Sequence, residues 1–199
     1  MKININAGKI KQVVNADKIT INQTKKNKRI KKKDDKLNEH KIKIFLASSN
    51  KLLEERRAFE IFISRLNHDY IKQGIYLELV IWENFLDAMS SSRLQDEYNK
   101  TIEKCDIFLM LFFSKVGKYT SEEFETAYKA FKLTGKPLIF TYLKDVINVS
   151  EASQDEKNSL LKFKKELSSL GHFYTTYNNP EALLLHFSNQ LKKINLKKL

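Results

Sequence analysis

The segment Asp106-Ile-Phe-Leu-Met-Leu-Phe-Phe113 is apolar at every position after its first, and no other feature constrains the chain as tightly. A strand with one wet face alternates apolar and polar residues. A strand without that alternation is covered on both faces, the signature of a central strand in a parallel sheet.

The flanking sequence supplies partners for such a strand. Lys41-Ile-Lys-Ile-Phe-Leu-Ala-Ser-Ser49 predicts a buried first strand. The stretch from Leu52 to Gln73 has Leu53, Phe59, Phe62, Ile63 and Leu66 on one helical face and ends before Gly74. Ile75 to Phe85 predicts the second strand, and Arg93 to Cys105 the second helix. Ser121 to Gly135 predicts a third helix with Ser121 or Thr120 as N-cap and Gly135 as its stop. Lys136 to Leu143 is a fourth strand, Asp155 to Leu170 an amphipathic helix, His172 to Tyr177 a short fifth strand, and Pro180 opens the last helix. Five strands alternating with five helices imply parallel pairing through right-handed crossovers, with helices on both faces in a flavodoxin-like α/β arrangement. Ligands of such sheets lie beyond the carboxyl ends of the strands, beside strand one, which selects the loops after Ser48 and Ser49, after Trp82 and after Phe113.

A chain of 199 residues holds one substantial core and a small appendage. Its net charge of +12 suggests nucleic acid, yet residues 37 to 191 carry 20 basic and 21 acidic side chains. The excess lies outside that stretch, much of it in residues 25 to 36, with eight basic and two acidic groups. That run is expected to be a solvated linker, and a tether to nucleic acid or anionic lipid is the lesser expectation. Ahead of it, Ile5-Asn-Ala-Gly-Lys-Ile10 recurs as Val14-Asn-Ala-Asp-Lys-Ile19. Alternating β-branched residues around turn-prone Asn-Ala pairs predict a short β-hairpin, which would gain stability by pairing with copies from other chains or remain a loosely docked arm. The expected organisation is a β-repeat arm at 1–23, a basic linker at 24–40 and one α/β domain at 41–199.

Several chemistries lack their residues. Five scattered glycines offer neither a dinucleotide fingerprint nor a phosphate-cradling loop. Four isolated histidines and one cysteine, Cys105, give no metal-ligand spacing, so no metal and no resident cofactor are expected. No apolar run approaches the roughly 18 to 20 residues of a membrane span, and the first residues lack a signal-peptide core, so a cytoplasmic location is expected. What remains is a carboxylate cluster, Glu122, Glu123 and Glu125, on the first turn of the helix that leaves the central strand. Acidic residues are favoured there by the helix dipole whatever the function. Their position facing the expected crevice makes a site role possible, with Tyr119 four residues before Glu123 and Ala127 four after it on one helical face.

The stretch from Lys41 to Leu143 resembles bacterial TIR domains, and Tyr119-Thr-Ser-Glu-Glu123-Phe-Glu-Thr-Ala127 is similar to the aromatic-x-x-x-Glu element of TIR-type NADases, with Tyr119 where tryptophan is usual. Glu123-x-x-x-Ala127 followed by Gly135-Lys136-Pro137 also resembles nucleoside deoxyribosyltransferases. Both resemblances select Glu123 as the catalytic carboxylate. The first implies NAD as substrate, cleaved to nicotinamide and ADP-ribose or a cyclic isomer, in bacterial antiphage defence by NAD depletion. It also implies homo-oligomers, assembled through the loop from Glu83 to Arg93 and the N-terminal arm. Tyr119, Phe113 and Trp82 are the expected walls for nicotinamide and ribose, and Ser48 and Ser49 the expected polar contacts. Two other readings stay open: a non-catalytic TIR adaptor and a deoxyribosyltransferase-like enzyme.

Overall fold

The computed structural model describes residues 40–85, 93–145 and 153–199. The expected N-terminal hairpin and basic linker, and most of the expected assembly loop, lie outside the described residues. Five strands, β1 (His40–Ser48), β2 (Ile75–Val80), β3 (Ile107–Phe112), β4 (Leu138–Lys144) and β5 (Thr175–Tyr177), form one sheet in the order β2-β1-β3-β4-β5. Every pairing is parallel. The helices are α1 (Leu53–Tyr70), α2 (Leu94–Ile102), α3 (Lys118–Thr134), α4 (Gln154–Ser169) and α5 (Pro180–Leu191). The α/β expectation and the flavodoxin-like strand order are what the chain adopts.

All six residues of β3 are buried, and their period of two divides them between two cores. Ile107, Leu109 and Leu111 join Phe59 and Ile63 of α1 and Leu183 and Phe187 of α5. Phe108, Met110 and Phe112 join Tyr98 and Ile102 of α2, Phe124 and Ala127 of α3, and Phe163 and Leu167 of α4. Hence α1 and α5 cover one face while α2, α3 and α4 cover the other. The β1 to β3 register pairs Phe45 with Phe108. Their rings stack at 5.9 Å.

Local chemistry explains where the elements stop. The three-residue turn after α1 and the C-terminus of α3 end on Gly74 and Gly135, at φ 75° and 78°, a left-handed conformation that costs glycine nothing. The Asn179 side chain accepts from the Ala182 N–H at 2.8 Å, with Pro180 in the first helical turn of α5.

Some boundaries and one buried position differ from expectation. The second strand stops at Val80 rather than Phe85, because the Ile81 N–H donates to the Asn84 side chain at 3.0 Å and Trp82–Asn84 becomes a 3-10 turn. The third helix opens at Lys118, since the Ser121 N–H already donates to the Gly117 carbonyl at 3.0 Å. Gly117 is therefore the N-cap, and Thr120 and Ser121 lie inside the helix. The fifth strand is three residues long, and on the first helical face Leu52 is buried where Leu53 was expected. Among the described residues no helix is long and apolar enough to cross a membrane.

Candidate active site

Because β1 lies between β2 and β3, and α1 covers one face while α2 and α3 cover the other, the chain leaves β1 and its neighbours in opposite directions. A crevice opens at their carboxyl ends. It holds a cavity of about 510 Å³. The floor is Phe45, Leu46 and Ala47 of β1, and the walls carry Ser48, Ser49, Trp82, Gln95, Tyr98, Tyr119 and Glu123, with Arg93 and Lys118 among the other lining residues.

Residues Thr120, Glu123, Phe124 and Ala127 form the buried stripe of α3, at helical spacing. Glu123 is thus carried inward with the apolar residues and is 7% exposed. Burial pushes its carboxyl up to about 7, partly opposed by a hydrogen bond with the Gln95 side chain, while the neighbouring Glu122 charge adds to the rise. Glu122, one helical step round, meets the opposite environment. It accepts from Asn99 Nδ2 at 3.0 Å and from Arg93 Nη2 at 2.6 Å, and these partners hold its carboxyl below the usual range. Glu125 points outward, 3.9 Å from Lys129. One cluster therefore contains an ion-paired carboxylate at the surface and, in the cavity, a carboxyl that has the Gln95 amide, and no cation, as its partner among the described residues.

A second buried carboxylate shows by contrast what distinguishes Glu123. Glu55 is fully buried, but Lys144 Nζ lies 2.6 Å from it and it does not line the cavity. Among the described residues Glu123 has no cationic partner. A carboxylate that lacks its own counter-ion in a low-dielectric wall is poised to stabilise positive charge brought or generated by a ligand.

Behind the lining residues, Arg56 of α1 is buried against Trp82, its guanidinium carbon 5.3 Å from the ring centroid. Its Nε donates to Glu83 at 2.6 Å, and its Nη1 donates to Ser48 Oγ at 3.0 Å and to the Ser49 carbonyl at 2.7 Å.

Of the residues selected from the sequence, Ser48, Ser49, Trp82, Tyr119 and Glu123 come together around this cavity. Phe113 does not join them: it packs against the core on the α1 and α5 face, opposite to Phe112. Cys105 is buried, with its thiol pushed up to about 12 chiefly by desolvation. Among the described residues no group of three metal-ligating side chains forms. Arg56, Arg93, Gln95 and Tyr98 were not anticipated. One of them carried a signal, since Gln95 is the polar residue on the buried stripe of α2 that it shares with Tyr98 and Ile102.

Two solved structures align with this chain. A Clostridium botulinum CMP N-glycosidase, BcmB, aligns at 17% identity with a TM-score of 0.41, over 73% of this chain and 98% of that one. The RPS4 and RRS1 TIR domain heterodimer aligns at 12% identity with a TM-score of 0.45, over 77% of this chain and 96% of that one. No curated protein matches the sequence. Residues 43–192, from within β1 through the end of α5, match the family described as Domain of unknown function (DUF4062), and the chain belongs to that family.

Proposed function

We propose that this cavity cleaves the N-glycosidic bond between nicotinamide and ribose in NAD, with Glu123 as the catalytic carboxylate. The observation that carries the reading is a 7%-exposed carboxyl with no cationic partner among the described residues, lining a cavity walled by Tyr98, Tyr119 and Trp82.

Breaking the C1′–N bond leaves oxocarbenium-like positive charge on the ribose. The bonding electron pair moves to the pyridinium nitrogen, which departs as neutral nicotinamide. Water then adds its oxygen to C1′ and releases a proton, giving ADP-ribose; an internal nucleophile of the substrate would give a cyclic isomer instead. Because the leaving group starts as a cation, no general acid is needed. The cavity suits that economy, since Glu123 is its one carboxylate among the described lining residues and no histidine lines it. A deoxyribosyltransferase-like reaction on a neutral nucleobase would ask for proton donation to the base. The ionised carboxylate stabilises the developing cation or attacks it, and a cationic substrate favours ionisation of a carboxyl that burial pushes up to about 7.

This reading fits a role in defence by depletion of NAD, with activity raised by homo-oligomer assembly. The test is nicotinamide release from NAD by the purified full chain, wild type against Glu123→Ala. Losing one preorganised electrostatic group typically costs about 10²- to 10³-fold in kcat, the drop expected here. Inactivity of both proteins, concentrated as well as dilute, refutes the glycohydrolase and favours a non-catalytic adaptor. Turnover of deoxynucleosides in its place favours the transferase.

A further inference from the structure

Arg56 occupies a position that stability alone does not assign to a charged residue. Phe59 and Ile63 of α1 and Leu52 of the preceding turn are buried around it, and the other buried polar residues of α1 have their own partners, Glu55 in Lys144 and Asn67 in the Leu77 backbone. A guanidinium taken out of water is costly unless its lost hydration is replaced. The replacement here is unusually focused: Ser48 Oγ, the Ser49 carbonyl, the Glu83 carboxylate and the Trp82 face. Three of those four residues line the cavity, whereas Arg56 itself does not. The contacts join the carboxyl end of β1 to the turn after β2, so a single side chain clamps two neighbouring strand ends that form one wall.

We propose that Arg56 is the positioning residue for that wall, fixing Ser48, Ser49 and Trp82 in the geometry that receives the ligand, and so setting affinity rather than the chemical step. The inference rests on the glycohydrolase reading only for the identity of the ligand. Glu123 stands on α3, and no contact with Arg56 is present among its described partners. Loosening the β1 and β2 wall therefore leaves the carboxylate in place. Lysine cannot substitute, because its single ammonium lacks the planar fork that reaches three acceptors while stacking on an indole.

Trp82 is the only tryptophan in the chain, so its fluorescence reports on the wall directly. The experiment compares full-length wild type with Arg56→Lys and Glu83→Gln, by acrylamide quenching of Trp82 and by NAD kinetics. Glu83 is at the partly exposed end of the ion pair, and its amide variant keeps the test available if Arg56→Lys does not fold. Expected are a roughly twofold rise in the quenching constant and a KM for NAD about tenfold higher, with kcat within about threefold, the pattern of lost uniform binding. The proposal is overturned by unchanged quenching in both variants, or by a fall in kcat at unchanged KM, which a smaller folded fraction alone would produce. Should wild type leave NAD intact, the glycohydrolase reading fails and quenching alone decides: a loosened Trp82 sustains the clamp, an unmoved one removes it.

Discussion

Replacing Glu123 by glutamine should make the protein more stable above neutral pH while lowering the proposed NAD cleavage about 10²- to 10³-fold, and the size of the stability gain follows from the site. The folded-state carboxyl sits at about 7 against 4.5 for the unreacted group in the unfolded chain. Between those values the folded chain holds the proton more tightly than the unfolded one, so stability contributed by this group falls as pH rises through the window. The window spans about 2.5 pH units, and at about 1.4 kcal/mol per unit the ionised carboxylate costs roughly 3 kcal/mol by pH 8. Glutamine keeps the shape and the capacity to pair with Gln95 without that charge. Urea unfolding followed by circular dichroism should give wild type and Glu123→Gln nearly equal stability at pH 4.5, and a variant up to about 3 kcal/mol more stable at pH 8. For a domain of this size the gain corresponds to roughly 10 °C in Tm. A difference between the two proteins that is the same at both pH values would refute the reasoning, because only the titration of residue 123 separates them.

The same ionisation predicts the rate profile: kcat/KM for NAD should rise with pH along a single limb centred near 7, and a flat profile from pH 5.5 to 8.5 would show that Glu123 is not the titrating group. Tyr119 is 62% exposed at the cavity mouth, so Tyr119→Ala should leave Tm within about 2 °C while raising KM several-fold; a large loss of stability would show a packing role instead. Deleting residues 1–36 should lower the oligomer mass in light scattering while the circular dichroism of the domain is retained, and an unchanged mass would count against self-association through the N-terminal repeat.

Much of the fold was legible because it rests on local periodicity. The unbroken apolar run at Ile107–Phe112 could be satisfied only by cover on both faces, and that cover is what α1 with α5 and α2 with α3 and α4 supply. The carboxylate cluster was legible for a related reason, since a helix leaving a central strand must begin at the crevice, but the choice of Glu123 within it came from the resemblance to TIR-type NADases. Boundaries were less so. The end of β2 depends on a side chain, Asn84, capturing a backbone N–H, and the start of α3 depends on Gly117 supplying the first carbonyl. Neither capture is encoded in hydrophobic pattern. Phe113 illustrates the residual ambiguity of parity, since one step along the chain carried its ring to the core on the far face.

From the chain alone came the order of elements and the parallel sheet, which follow from the spacing of apolar residues along one dimension, and a carboxylate cluster from which family resemblance picked Glu123. The fate of that carboxylate was decided in three dimensions. Glu122 and Glu123 are chemically identical neighbours, and only the packing of α2 against α3 gives one of them Arg93 and Asn99 and leaves the other in an apolar wall. Likewise the sequence shows an arginine on α1, while its role as a clamp exists only where the ends of β1 and β2 converge on it. Electrostatic environment depends on distance through space, and distance through space is what the fold, not the order of residues, determines.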